Sequence, residues 1–401
     1  MIDWQGHYAA RMGRVVASDI RERMKLLGQP GIVHLGGGLP EPAILPREAI
    51  AAATAKVLGD PSSARIALPY ASSEGHAPLK EWIAAYMAKL GAPCGPQNIL
   101  VTNGSQQALD FISRLLVDKG DRVTVERPTF IGALRAFDGY EASYANLPEQ
   151  LEDPGAVRAA LKGAKFAYLG PEFRNPTGTC LNLAERHMLL EAAAAEGTPL
   201  VEDGCYETLR FEGANLPALL ALELQRTGGI EKSNVLYTGT FSKTLAPSLR
   251  TGWIVGPEEV IRKLVLIKQA ADLATSALLQ MVALEVASTR FDECIARALP
   301  VYRARRDAML GGLARYMPAG VEWTKPEGGF YLWMTLPEEI DGGVLANRAL
   351  AEEKLSVIAG AAFYPVDAKR NTIRLSYSMA NEEQCGEGAR RLGEVLRRRP
   401  N

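Results

Sequence analysis

Between residues 98 and 256 the chain switches repeatedly between two hydrophobic periods, and this restricts its fold more than any other feature. Short apolar runs, ILVT (99–102), RVTVE (122–126), FAYLG (166–170), PLVED (199–203), NVLYTGT (234–240) and GWIVG (252–256), alternate with stretches such as SQQALDFISRLLVDKG and AERHMLLEAAAAEG. In the latter, apolar residues recur at helical spacing. A strand that is apolar throughout needs cover on both faces. The pattern therefore predicts an α/β domain whose largely parallel sheet lies between helices.

After residue 257 the texture changes to long helical stretches, EEVIRKLVLIKQAADL and LPVYRARRDAMLGGLARY among them. The basic residues of the second read as a solvated face. Further on, EGGFYLWMTL, SVIAGAAFY and NTIRLSYS are short strand-like runs separated by helical ones. Residues 46–289 are thus expected to form a large domain and residues 290–401 a smaller α+β domain.

Charge excludes some partners. With 45 basic and 46 acidic side chains the net charge is -1, so no bulk attraction to nucleic acid or an anionic membrane is expected. No run of about 18 apolar residues occurs to span a bilayer. The five cysteines (Cys94, Cys180, Cys205, Cys294, Cys385) include no C-x-x-C pair, which argues against a disulfide framework or a zinc site. His7, His34, His76 and His187 are too scattered for a metal cluster. A cytoplasmic protein acting on small molecules is expected.

Four stretches fall in or beside strand-to-helix loops, where an open α/β sheet places its ligands. In TNGSQQALD, Gly104 permits close backbone approach, and Ser105 and Gln106 open a helix whose free N–H groups suit a phosphate. FRNPTG places Asn175 in a turn after the FAYLG strand, and VEDGCYE ends a buried strand with Asp203 and follows it with Tyr206. Taken singly, a helix cap or a turn would explain each of these. In TGTFSKTLAPSLRTGW, Lys243 lies among Thr240, Ser242 and Thr244, with Arg250 seven positions on. Alone it would be a surface amine, but next to a cation in a partly desolvated pocket a lysine becomes a nucleophile fit for Schiff-base formation.

Together these pieces are the set needed to hold pyridoxal 5'-phosphate. Asp203 would pair with the pyridine nitrogen and keep it protonated. Asn175 and Tyr206 would hydrogen-bond the phenolic oxygen, and Phe130, in ERPTF, would stack on the ring. Gly104, Ser105, Gln106, Thr240, Ser242 and Arg250 would hold the phosphate, the arginine by bidentate charge-assisted bonds. GTFSKT resembles a P-loop only loosely, and GGGLPE lacks the last glycine of a dinucleotide fingerprint.

At this point the sequence resembles the fold-type I, class I/II pyridoxal-phosphate aminotransferases over nearly its whole length. The resemblance is carried by GGGLP (36–40), LPYASSEG (68–75), TNGSQQALD, ERPTF, FRNPTG, EDGCY, TFSKTLAPSLRTGW, EGGFYLW and NTIRLS, in the family's order. SDIRERMK followed by GGGLP is most similar to the 2-aminoadipate/kynurenine subgroup, which is related to the catalytic part of MocR regulators. The resemblance implies that Arg374 clamps the substrate α-carboxylate, with Asn175 and the backbone near Gly38 assisting. It implies that Tyr70 reaches the cofactor phosphate of a neighbouring subunit in a homodimer. It also implies that residues 1–45 form an arm and helix packed on the small domain.

The implied reaction is ping-pong transfer of an α-amino group from a 2-aminoadipate, aromatic or branched-chain donor to a 2-oxo acid such as 2-oxoglutarate. In it Lys243 is nucleophile and then general acid/base. Departures from the family pattern at Phe130, Arg174 and Cys205 leave the cofactor logic intact and the side-chain specificity open. So does the question whether Arg21 or Arg23 meets substrate. A lyase or decarboxylase of the same fold uses the same cofactor residues, because the bond cleaved depends on how the substrate sits against the ring. A regulator that only senses ligand is the remaining alternative, and the neutral charge gives it no basic patch.

Overall fold

Each apolar run between residues 99 and 255 becomes a strand, and its side chains alternate between the two sheet faces. The computed structural model describes residues 1–14 and 29–398. After the short strand β1 (Val33–His34), seven strands build the large sheet: β2 (Ile99–Thr102), β3 (Arg122–Val125), β4 (Ser143–Asn146), β5 (Phe166–Leu169), β6 (Leu200–Asp203), β7 (Val235–Thr240) and β8 (Gly252–Val255). Their order is β2-β8-β7-β6-β5-β3-β4. Only β8 runs antiparallel to its neighbours; all other pairs are parallel.

Alternate residues of one strand enter different apolar clusters. Val101, Leu169, Leu200 and Val235 pack with the helices Ala77–Lys89, Leu183–Glu196 and Leu219–Thr227 on one face. Leu100, Tyr168, Val201 and Leu236 pack with Ser105–Leu116, Ile131–Asp138 and Glu258–Ala271 on the other. Burying each such aliphatic side chain contributes about 2 kcal/mol, which is why strands this apolar are stable only when covered on both sides. The pattern did not announce β4, whose residues are half-buried or exposed. It is an edge strand with one neighbour, so its sequence is mixed.

Four strands form a second, antiparallel sheet: β9 (Glu322–Trp323), β10 (Tyr331–Thr335), β12 (Ile358–Ala359) and β13 (Thr372–Ser376), in the order β12-β13-β10-β9. Between them in sequence, β11 (Leu355–Ser356) pairs in parallel with β1. Leu35 then accepts a hydrogen bond from the Ser376 N–H, so residues 33–38 run along the small domain toward its junction with the large one. Arg21 and Arg23, with most of the expected amino-terminal helix, lie outside the described residues.

One 40-residue helix, Ala277–Tyr316, passes from the large domain to the small one, packing on Arg47–Gly59 and then on the carboxyl-terminal helix Glu382–Arg397. The division expected at residue 289/290 falls inside this helix, because a change of sequence texture cannot mark a boundary that one element spans. Phe173, Tyr206 and Leu209 of the large domain share an apolar cluster with Leu332 and Leu375 of the small one. Among the described residues no helix is long and apolar enough to cross a membrane.

Candidate active site

Parallel strands deliver their carboxyl ends to one edge of the sheet, and here β3, β5, β6 and β7 deliver Glu126, Gly170, Asp203 and Phe241. Phe241 is buried against Trp82 and Trp253, with ring centroids at 5.4 and 5.0 Å. This apolar anchor fixes the short turn Phe241–Lys243, and the Thr240 hydroxyl oxygen caps it by accepting from the Ser242 N–H at 3.1 Å. Lys243 follows directly. Its Nζ donates to the Gly38 carbonyl at 3.2 Å and sits 5.6 and 5.7 Å from the ring centroids of Tyr206 and Phe330.

A second short turn, Pro247–Leu249, returns the chain, and Arg250 adopts a left-handed conformation (φ 47°). Its Nη2 donates to the Asn103 carbonyl at 2.9 Å and its Nη1 to that of Pro247 at 3.2 Å. The guanidinium thus lies against Gly104 at the start of the helix Ser105–Leu116. Gly104 has φ 80°, a conformation that favours glycine, and a Cβ there would stand 2.7 Å from Arg250 Nη2 and displace the guanidinium. Gly104, not Ser105, is the residue that precedes the helix, which leaves the Ser105 hydroxyl free of capping duty. The helix start, the hydroxyls of Ser105, Thr240 and Ser242, and Arg250 line the same cavity, an arrangement suited to an anion.

The acidic pair at the end of β6 divides its work. Successive side chains point to opposite faces, so Glu202 turns inward and accepts from the N–H groups of Leu219 and Leu220, both at 2.8 Å, capping another helix. Asp203 instead faces the cavity. Its Oδ2 accepts from the Tyr168 hydroxyl at 2.6 Å and its Oδ1 from the Cys205 N–H at 3.2 Å. Burial, and secondarily Asp203, raise the Tyr168 hydroxyl well above its ordinary range, so it remains a donor.

Arg374, on β13, is almost wholly buried. Its Nη1 donates to Asn175 Oδ1 at 2.8 Å and its Nη2 to the Gly36 carbonyl at 2.8 Å. Its guanidinium lies 4.4 Å from the Tyr331 ring centroid and 4.9 Å from that of Phe363. Burial pulls its pKa down from the ordinary value, yet an arginine stays charged. Nε has no protein partner among the described residues.

These groups surround one cavity of about 310 Å³. Of the residues expected from sequence, only Gly104 and Tyr70 do not line it. Gly104 backs it through Arg250, whereas Tyr70 is 91% exposed on the surface. The structure adds Glu126, Tyr168 and Tyr331 to the wall. Glu126 is buried, and desolvation pushes it up to about 7 against the pull of Arg174, whose Nη1 lies 3.5 Å away. A charged residue closing the run RVTVE was the one sequence signal for it. Tyr168 and Tyr331 lay hidden inside strands, where an aromatic residue looks like core.

Residues 39–392 match the family of aminotransferases of class I and II. The chain belongs to this family. The aminotransferase is 38% identical to the 2-aminoadipate transaminase of Thermus thermophilus, the alignment covering 99% of this chain and 98% of that one. It is 37% identical to aromatic-amino-acid aminotransferase 1 of Thermococcus litoralis, over 99% and 95% of the two chains. Among solved structures it superposes on the alpha-aminoadipate aminotransferase of Thermus thermophilus, complexed with N-(5'-phosphopyridoxyl)-L-leucine, with a TM-score of 0.89. That match has 37% identity and covers 98% of each chain. The cofactor of this aminotransferase is pyridoxal 5'-phosphate, and the cavity fits it: an amine, a carboxylate held by two donors, and a helix start where the left-handed Gly104 lets Arg250 lie close.

Proposed function

We propose that this aminotransferase moves the α-amino group of a 2-aminoadipate-type, aromatic or branched-chain amino acid to a 2-oxo acid such as 2-oxoglutarate, by a ping-pong reaction. The observation that carries this reading is the shared cavity of Lys243, Asp203 and Arg374. A nucleophilic amine, an acid for a ring nitrogen and a guanidinium for a carboxylate are what the two half-reactions need. Bound pyridoxal phosphate supplies an electron sink that stabilises a carbanion at the substrate Cα.

The chain's residues do the rest. Lys243 Nζ would hold the cofactor covalently and, as a free amine, would serve as the base for the Cα proton. Asp203 holds a proton on the pyridine nitrogen, with Tyr168 and the Cys205 N–H fixing the carboxylate. Asn175 and Tyr206 bind the phenolic oxygen, and Phe130 stacks on the ring. Ser105, Gln106, Thr240, Ser242 and Arg250 bind the phosphate. Arg374 takes the α-carboxylate, assisted by Asn175 and the backbone near Gly38.

Leu39, Phe130 and Tyr331 give part of the wall an apolar surface, which supports a broad aliphatic and aromatic donor range. Arg174 also lines the cavity, its Nη1 3.5 Å from Glu126. A homodimer with shared sites is part of this reading, as is a cytoplasmic setting, which the five free thiols support.

A panel of amino donors with 2-oxoglutarate tests it on the holoenzyme. One new amino acid per donor consumed is expected, and Lys243→Ala should lose both turnover and the visible absorbance specific to the lysine-linked cofactor. Release of ammonia or carbon dioxide in its place would point to elimination or decarboxylation.

A further inference from the structure

Tyr331 adjoins three residues assigned roles above, Tyr206, Arg374 and Gly38. Its hydroxyl lies 3.1 Å from that of Tyr206, and its ring face carries the Arg374 guanidinium at 4.4 Å. A Cβ on residue 38 would fall 2.0 Å from the Tyr331 hydroxyl oxygen, so the hydroxyl occupies the space a side chain there would need. The Gly38 carbonyl is in turn the acceptor of Lys243 Nζ. Tyr331 is buried on β10, paired across the sheet with Ser376, two residues beyond Arg374.

Either tyrosine could donate in the 3.1 Å contact, but a hydroxyl has a single proton. If Tyr206 spends its proton on the cofactor's phenolic oxygen, Tyr331 must be the donor between the two. We propose that Tyr331 is a positioning residue: its hydroxyl donates to Tyr206 and so turns the Tyr206 proton toward the cofactor, while its ring seats Arg374. A donated hydrogen bond polarises the acceptor's own O–H and strengthens the bond that hydroxyl makes onward. The inference rests on the role given to Tyr206 above. Burial, followed by Tyr331, raises Tyr206 well above the usual tyrosine range, which keeps it a neutral donor.

The test is the pH midpoint of the visible absorbance change of the substrate-free holoenzyme. A stronger donor at the phenolic oxygen favours the deprotonated chromophore and lowers that midpoint. Tyr331→Phe removes the hydroxyl and keeps the ring, so the midpoint is expected to rise by about 0.5 to 1 pH unit. KM for the amino donor should stay within about twofold, because the face beneath Arg374 is retained. Tyr206→Phe, measured alongside, should raise the midpoint further, and adding Tyr331→Phe to it should change nothing more. An unmoved midpoint in Tyr331→Phe, with Tyr206→Phe shifted, overturns the role of Tyr331. A midpoint unmoved in both overturns the assignment of Tyr206 itself. An equal shift from Tyr331→Phe in the Tyr206→Phe background overturns the relay. Tyr331→Leu should instead raise KM as well, since the ring is gone.

Discussion

Arg374 carries a fixed charge into a place where charge is costly, and its neighbours offset that cost without consuming its capacity to bind. Asn175 and Gly36 satisfy one N–H on each terminal nitrogen, and the Tyr331 and Phe363 rings lie against the guanidinium. The rest of the fork is free for a carboxylate. Arg374→Lys keeps the charge and loses the paired geometry, so kcat/KM for the amino donor should fall about 10- to 100-fold, the equivalent of one charged hydrogen bond. Steady-state kinetics check this, and an unchanged kcat/KM would remove Arg374 from substrate binding. At this scale the sequence was informative at Lys243, a lysine among hydroxyls, whereas Arg374 in NTIRLS was reached only through the family resemblance. It was silent about Tyr168 and Tyr331, because a buried tyrosine in a strand shows its apolar body and hides its hydroxyl.

Between elements, the turn Glu207–Leu209 is joined to the sheet and to a helix by one carboxylate. Glu207 Oε1 accepts from the Tyr237 hydroxyl of β7 at 2.7 Å and from the Tyr86 hydroxyl of the helix Ala77–Lys89. Burial pushes its pKa from 4.5 up to about 8. Between those values the folded chain holds a proton that the unfolded chain has lost, so stability falls as pH rises through the window. Glu207→Gln can keep the carbonyl acceptor and does not titrate. Its stability relative to the parent should therefore improve from pH 5 to pH 9, by on the order of a few kcal/mol. Denaturant midpoints of the two proteins at both pH values measure this, and a constant gap would show that Glu207 is ionised throughout. The strands themselves were legible because each repeats a short-range pattern. The edge strand β4 was not, since one exposed side dilutes the pattern. The helix Ala277–Tyr316 runs through a boundary that texture alone had suggested.

For the whole molecule the open question is what Tyr70 faces. It stands 91% exposed, beside Leu68 and Ile66 at 68% and 55%, a run of large apolar side chains at the end of a short helix. In the proposed homodimer a second copy covers this patch and Tyr70 is expected to reach that copy's phosphate cradle. Sedimentation equilibrium should then give twice the 43.4 kDa chain mass, and Tyr70→Phe should lose cofactor faster on dilution with no change in the melting temperature of the cofactor-free protein. A monomer with full activity would separate Tyr70 from the site. By itself the sequence determined the layered α/β class, the buried strands of the large sheet and the loops that carry the chemistry, because those follow from local periodicity and from the position of polar residues at strand ends. Only the tertiary structure decided which carboxylate of Glu202 and Asp203 caps a helix and which faces the cavity. It alone brought Gly36 to Arg374 across 338 positions, because contacts between residues so far apart are set by how sheets and helices pack, and no local pattern encodes them.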